Sequence, residues 1–194
     1  MKKSIGAKTF MYPTPVLVVG TYAADGAPNV MTAAWGGVAC SKPPCVSVSL
    51  RAATASHGNI MARRAFTISL PGEANAAQAD YAGIVSGGDH DKFAELGLTA
   101  VRSELVDAPY VSEFPLVLEC EVVGIHELGL HTQFIGEILD VKADESVLTA
   151  AGRPDLELLK PILFAMDPSA YYGVGRDLGK AYSIGKDLVE GEDR

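Results

Sequence analysis

Two strand-length runs lie almost end to end in the second half of the chain, Leu116 to Leu128 and Gln133 to Val141, joined only through Gly129-Leu130-His131-Thr132. Both carry the β-branched and aromatic residues that suit a pleated surface, and so short a connection makes them an antiparallel hairpin. The first half of the chain supplies further strands. Pro13 and Pro15 bracket the start of the run PVLVVGTY, and Asp25-Gly26 is a hairpin signal between that run and the segment Asn29 to Trp35, which stops at Gly36-Gly37. SKPPC reads as a turn, after which Val46 to Leu50 alternates apolar and hydroxyl residues, offering one face to a core and the other to solvent or a ligand. Ala65 to Leu70 is another strand, ended by Pro71-Gly72, and Val101 to Tyr110 reads as connecting strand and loop.

Between these runs the pattern turns helical at Ala55 to Arg64, at the alanine-rich Glu73 to Val85, and briefly at Asp91 to Leu96. Glycines 83, 87 and 88 break the second of these, and Asp144 to Ala151 and Pro154 to Lys160 read as helical turns. No repeat or linker divides the chain, so one domain over residues 1–194 is expected, its core at about 9–175. Residues 176–194 are expected to be extended or frayed, most of all at the charged end Glu190–Arg194. Short strands with turn signals and a few small helices predict a mainly β fold, an antiparallel β-barrel with peripheral α-helices.

The balance of charge narrows the function. A net charge of −8 argues against a nucleic-acid partner, because phosphate neutralisation needs a basic surface. No apolar run reaches the ~18 residues of a membrane span, and no apolar core follows the N-terminal lysines, so neither a membrane helix nor a signal peptide is expected. Cys40, Cys45 and Cys120 form no four-ligand pattern, so they are read as buried or incidental thiols in a cytoplasmic protein, with no metal site.

The segment Asn29 to Asn59 is where chemistry concentrates. Its polar side chains are mostly small hydroxyls and amides, and it holds the chain's only tryptophan, Trp35. Arg51, Thr54, Ser56, His57 and Asn59 fall at a strand-to-helix transition, where Thr54 or Ser56 is either a plain helix cap or part of an anion site completed by Arg51. Lys92 opens a second helix after Asp89 and Asp91; there a lysine opposes the helix dipole unless an anion is bound, or else is solvated with its stem over Phe93. Trp35 is either a core aromatic or, flanked by Ala33, Ala34, Gly36 and Gly37, a wall for a flat ligand. G-x-S-x-G, Walker and G-x-G-x-x-G patterns are missing from the sequence, and no nucleophile–base pair stands out. A bound cofactor that performs the chemistry itself fits this composition.

Taken in order, TPVLVVGTYAADGAPNVMTAAW, the SVSL-R strand with its T-x-S-H-x-N continuation, the DHDKF loop and HTQFIGEILDV resemble the flavin reductase-like, FMN-binding split-barrel family, especially its flavoredoxin branch. The resemblance covers roughly Thr9 to Val141. It implies an antiparallel split β-barrel of Greek-key-like order, FMN as cofactor, and a homodimer. It implies that Asn29, Met31, Thr32 and Trp35 surround the flavin ring, and that Ser47, Ser49, Leu50 and Arg51 run along the ribityl chain. Thr54, Ser56, His57, Asn59 and Lys92 would hold the phosphate end with Phe93 beside it. His131, Tyr171 or Tyr172 would reach the substrate or come from the partner subunit. The implied activity is oxidoreduction through FMN, with NAD(P)H or a redox protein as donor. A non-catalytic module holding FMN or another phosphorylated ligand, and a structural barrel whose loops merely look like anion sites, are the alternatives.

Overall fold

The computed structural model describes residues 1–189. A short strand β1 (Thr14–Pro15) leads into β2 (Leu17–Tyr22), which turns at Asp25-Gly26 into β3 (Pro28–Ala33). Next come β4 (Gly36–Ser41), β5 (Pro44–Arg51), α1 (Ala55–Arg63) and β6 (Ala65–Leu70). A single 3-10 turn at Glu73–Asn75 opens into α2 (Ala76–Ile84), and α3 (Lys92–Leu96), β7 (Ala100–Arg102) and β8 (Pro109–Val111) follow. The long hairpin is β9 (Leu116–Leu128) with β10 (His131–Ala143). The chain then forms a 3-10 turn at Glu145–Val147, α4 (Leu156–Leu159), β11 (Leu163–Met166), β12 (Ser169–Tyr172) and α5 (Lys186–Val189).

Seven strands make the main antiparallel sheet, in the order β3-β2-β6-β9-β10-β5-β4. β5 and β6 are consecutive in the chain yet separated by the hairpin β9–β10, so α1 must cross between them. The sheet curls round its own core. Leu17 and Val19 from one end meet Val46, Val48 and Leu50 from the other, over Phe66, Ile68, Cys120 and Phe134. Closure is reinforced where the Ser49 N–H donates to the Trp35 carbonyl, 2.7 Å away, bringing the end of β3 onto β5. A barrel has no room for side chains everywhere: a Cβ at Gly136 would lie 2.5 Å from Phe66 Cζ.

Strand β2 is buried on both faces. Val18, with Val16 just before the strand, packs under α2 and α3 with Val30, Ala79, Ala82 and Phe93, whereas Leu17 and Val19 enter the barrel core, which explains why this run is apolar without alternation. β11 and β12 form a small sheet with β1 beside this second core.

Several expectations need correction. The strand before Gly36-Gly37 ends at Ala33, short of Trp35, and these glycines open a further strand, β4, that was not expected; a Cβ at Gly36 would lie 2.5 Å from the Ser47 carbonyl oxygen. β11 and β12 carry only four residues each and were not anticipated as strands. Residues 181–185 form turns and Lys186–Val189 a helical turn, so that part of the tail is not extended, while Glu190–Arg194 lie outside the described residues. Among the described residues no helix is long and apolar enough to cross a membrane.

Candidate cofactor-binding cleft

Strands β3 and β5 bring their ligand-facing residues to one cleft of about 590 Å³. Met31, Thr32 and Trp35 line one side and Ser49, Leu50 and Arg51 the other. His131, at the start of β10, pairs with Arg51 in register and lies parallel to the Trp35 indole, with ring centroids 6.1 Å apart and planes inclined by 6°. Phe164 and Tyr171, neighbours across β11 and β12, form a further wall. The Tyr171 hydroxyl donates to Asp80 Oδ1 at 3.0 Å, and burial first, then this carboxylate, pushes the phenol up to about 12. A second cleft of about 600 Å³ lies beyond Trp35, with Ser47 and Gln133 on its floor and Phe10 and Met11 at its edge.

The 590 Å³ cleft shares Met31, Thr54, Gly83 and Ile84 with a smaller cavity of about 210 Å³. This chamber lies at the start of α1. Thr54 caps the helix, its hydroxyl accepting from the His57 N–H at 3.3 Å, which leaves the first-turn N–H groups of Ala55 and Ser56 without intrahelical partners. Such a helix start attracts anions. Opposite stand Ser86, Gly87 and Lys92.

Lys92 is neither solvated nor spread over Phe93. It is buried, and its ammonium donates to the carbonyls of Val30 at 2.8 Å and Ala82 at 2.7 Å, leaving one N–H of three for the cavity it lines. Burial lowers its pKa to about 8. Asp91 supplies the cap of α3, accepting from Ala94 N at 3.1 Å.

Asn29 closes the back of the chamber. Its Nδ2 donates to Ser56 Oγ at 2.9 Å, while its buried Oδ1 has no partner. Only a glycine can pass in front of it, since a Cβ on Gly87 would lie 1.9 Å from that oxygen. An unpaired buried acceptor beside a helix start and a lysine is what a ligand bearing both hydroxyls and an anion would satisfy.

The structure therefore gathers Asn29, Met31, Thr32, Trp35, Ser49, Leu50, Arg51, Thr54, Ser56, Lys92, His131 and Tyr171 along the two joined cavities. Five expected residues fall elsewhere. His57 turns away, its Nε2 2.9 Å from Thr132 Oγ1 and its ring edge-on to Phe134. Asn59 sits behind the chamber, donating to Thr21 Oγ1 at 3.1 Å. Phe93 belongs to the core under α2 and α3. Ser47 donates to the Gly37 carbonyl and faces the second cleft. Tyr172 is exposed and lines neither cavity. Arg51 is at the rim of the larger cleft and not in the chamber, so the positive charge there is Lys92 and not the guanidinium. His131 and Tyr171 both line the cleft of their own chain.

Asp80, Gly83, Ile84, Ser86, Gly87 and Phe164 line the site without having been expected. The only trace in the sequence was the glycines at 83, 87 and 88, which mark close approach as well as a helix end.

The fold is an antiparallel split barrel in which a cleft of about 590 Å³ opens into a smaller chamber lined by Lys92 and the start of α1. The chain belongs to the flavin reductase like domain family, whose model matches residues 9–171. Its structure superposes on the flavoredoxin of Desulfovibrio vulgaris (Miyazaki F) with a TM-score of 0.91 at 55% identity, covering 95% of this chain and 100% of that one. The flavoredoxin from Methanosarcina acetivorans gives 0.91 at 30% identity, covering 97% and 99%. The reductase component of 4-nitrophenol 4-monooxygenase/4-nitrocatechol 2-monooxygenase from Rhodococcus opacus is 31% identical over 127 residues, which are 66% of this chain and 65% of that protein. The group this family implies is a flavin, and the orphaned Asn29 oxygen, the Gly87 close approach and the Lys92-lined chamber fit it.

Proposed function

We propose that the joined cavities hold FMN and that the protein is an oxidoreductase of flavin reductase or flavoredoxin type. The observation that carries this reading is the junction itself: a 590 Å³ cleft walled by Trp35, His131, Phe164 and Tyr171 leads into a 210 Å³ chamber built from the start of α1 and the Lys92 ammonium. FMN, when bound, supplies acceptance and release of hydride or single electrons. The protein's residues bind and orient. Lys92 and the Ala55 and Ser56 N–H groups meet the phosphate, Asn29 Oδ1 accepts from a ribityl hydroxyl, and the aromatic walls keep water from the ring. Arg51, at the rim, is placed for the ribityl chain or for a reaction partner.

NAD(P)H or a redox protein is the proposed donor. A second copy of the chain is the proposed cover of the cleft's lips, where Ile84 and Leu130 leave apolar side chains exposed. Three free cysteines suit a reducing compartment, for which the cytoplasm is proposed.

The test is the visible absorption spectrum of the purified protein before and after denaturation. Flavin bands released on unfolding, with a phosphatase-sensitive monophosphate among the released material, support FMN. A colourless protein that takes up no added FMN overturns the reading. NAD(P)H oxidation with added free flavin then separates a reductase, which turns over, from a carrier, which does not.

A further inference from the structure

The sequence spacing C-x4-C found no use in the cleft, and the structure places it with care. Cys40 on β4 and Cys45 on β5 are register partners at the end of a hairpin, next to the terminal pair Ser41–Pro44 and the two-residue connection Lys42-Pro43. Partners directly opposed in an antiparallel pair have Cα atoms about 4.5–5.5 Å apart and side chains on the same face. Disulfides span Cα distances of about 4.4–6.8 Å, a range that includes such partners, here immediately after the register shift between Val38 and Cys40.

The two thiols also differ in the way a reacting pair requires. Cys40 is exposed, whereas Cys45 is buried. Within β5, Val46, Val48 and Leu50 enter the barrel core, so Cys45 lies on the opposite face, with Ser47 and Ser49. Burial, followed by the nearby Cys40 and Glu137, pushes the Cys45 thiol up. The third cysteine, Cys120, belongs to the core cluster, and burial pushes it up to about 12, out of the reactive range.

We propose that Cys40 and Cys45 are a dithiol site that reduces hydroperoxides and is itself converted to a cross-strand disulfide. The Cys40 thiolate attacks the terminal peroxide oxygen: an S–O bond forms, the O–O bond breaks, and the alcohol leaves, or water in the case of hydrogen peroxide. The Cys45 sulfur then attacks the Cys40 sulfenic sulfur, forming S–S and breaking S–O, and the hydroxyl leaves as water with the Cys45 proton. Two thiols lose two electrons and two protons, and the peroxide takes them. The peroxide is the oxidant, so the step does not depend on the flavin reading.

The experiment uses the full-length protein as purified, reduced, and treated with an equimolar amount of hydrogen peroxide. Free thiols are then alkylated under denaturing conditions and the peptides mapped without reductant. The expected result is one intrachain link between Cys40 and Cys45, with Cys120 alkylated, and faster formation as pH rises, because the thiolate is the attacking species. Cys45→Ser should leave Cys40 trapped as a dimedone-reactive sulfenic acid, while Cys40→Ser should leave Cys45 reduced. Cys120→Ser should change nothing. Both test positions carry a side chain close in size to serine, and folding of each variant is checked by circular dichroism. Wild-type Cys40 carried on to the sulfinic acid with Cys45 free, or linked only to Cys40 of another molecule, overturns the proposal. So does a reaction as fast in Cys40→Ser as in the wild type.

Discussion

Lys92 joins three parts of the molecule through one ammonium: a carbonyl of β3, a carbonyl of α2 and the smaller chamber. Lys92→Met is expected to weaken FMN binding by about 1.5–3 kcal/mol, the scale of a hydrogen bond to a charged group, measured by fluorescence titration. The pH dependence has opposite signs for binding and for folding. Above a pH of about 8 the buried lysine loses its proton, so FMN affinity falls in the wild type and stays flat in Lys92→Met. The unfolded chain holds that proton up to about pH 10.4. Between those values the unfolded state binds more protons, so the stability of the flavin-free protein rises with pH. Urea midpoints of wild type against Lys92→Met across this window check the sign. The sequence made this residue visible, because a lysine in the first turn of a helix conflicts with the dipole. Its direction was hidden, since which carbonyls it would reach depends on α2 crossing β3, a contact between residues far apart in the chain. His57 misled for the same reason: it shares a turn with Ser56, but one residue along a helix is 100° of rotation, enough to face β10 and not the cavity.

Among the elements, the β9–β10 hairpin was the most legible because its signal is local: the expected strands Leu116 to Leu128 and Gln133 to Val141 fall within it, and β10 extends the second by two residues at each end, His131–Ala143. β4, β11 and β12 were not legible. β4 opens with Gly36 and Gly37, which carry no strand preference, and at Gly36 β5 passes too close for a Cβ. The hairpin also holds a feature no pattern announces. Glu119 is fully buried on β9, and its Oε2 lies 2.8 Å from Lys142 Nζ on β10, which also contacts Asp140 at 2.8 Å. Removing one partner of a buried pair costs about 3–5 kcal/mol, and Lys142 is 35% exposed, so Lys142→Met is expected near the lower end of that range. The double variant Glu119→Gln with Lys142→Met should recover part of the loss, because the uncompensated carboxylate is gone. Chemical denaturation of the two variants measures both.

For the molecule as a whole, the barrel was readable from the count and spacing of strands, whereas its two-chambered cleft was not. The cleft depends on the crossover of α1 between β5 and β6 and on α2 lying along β3, both long-range facts. The N-terminal half of the site, from Asn29 to Ser56, could be named because it is one continuous stretch of sequence. The opposite wall, Asp80 to Gly87 with Phe164, could not, because its residues become neighbours only after folding.

The lysine that fastens α2 to β3 has one proton left for a ligand, so filling the chamber and clamping that helix are one event. On the proposed function, a flavin phosphate taking up the third N–H would keep the ammonium charged and in place, and with it the seat of α2. Backbone amides of residues 76–91 should therefore exchange with deuterium more slowly in the FMN-loaded protein than in the stripped one, while those of β9 should be indifferent. In Lys92→Met saturated with FMN, that difference should shrink. The helix wall would then be a reporter of occupancy, its breathing set by whether the chamber is full.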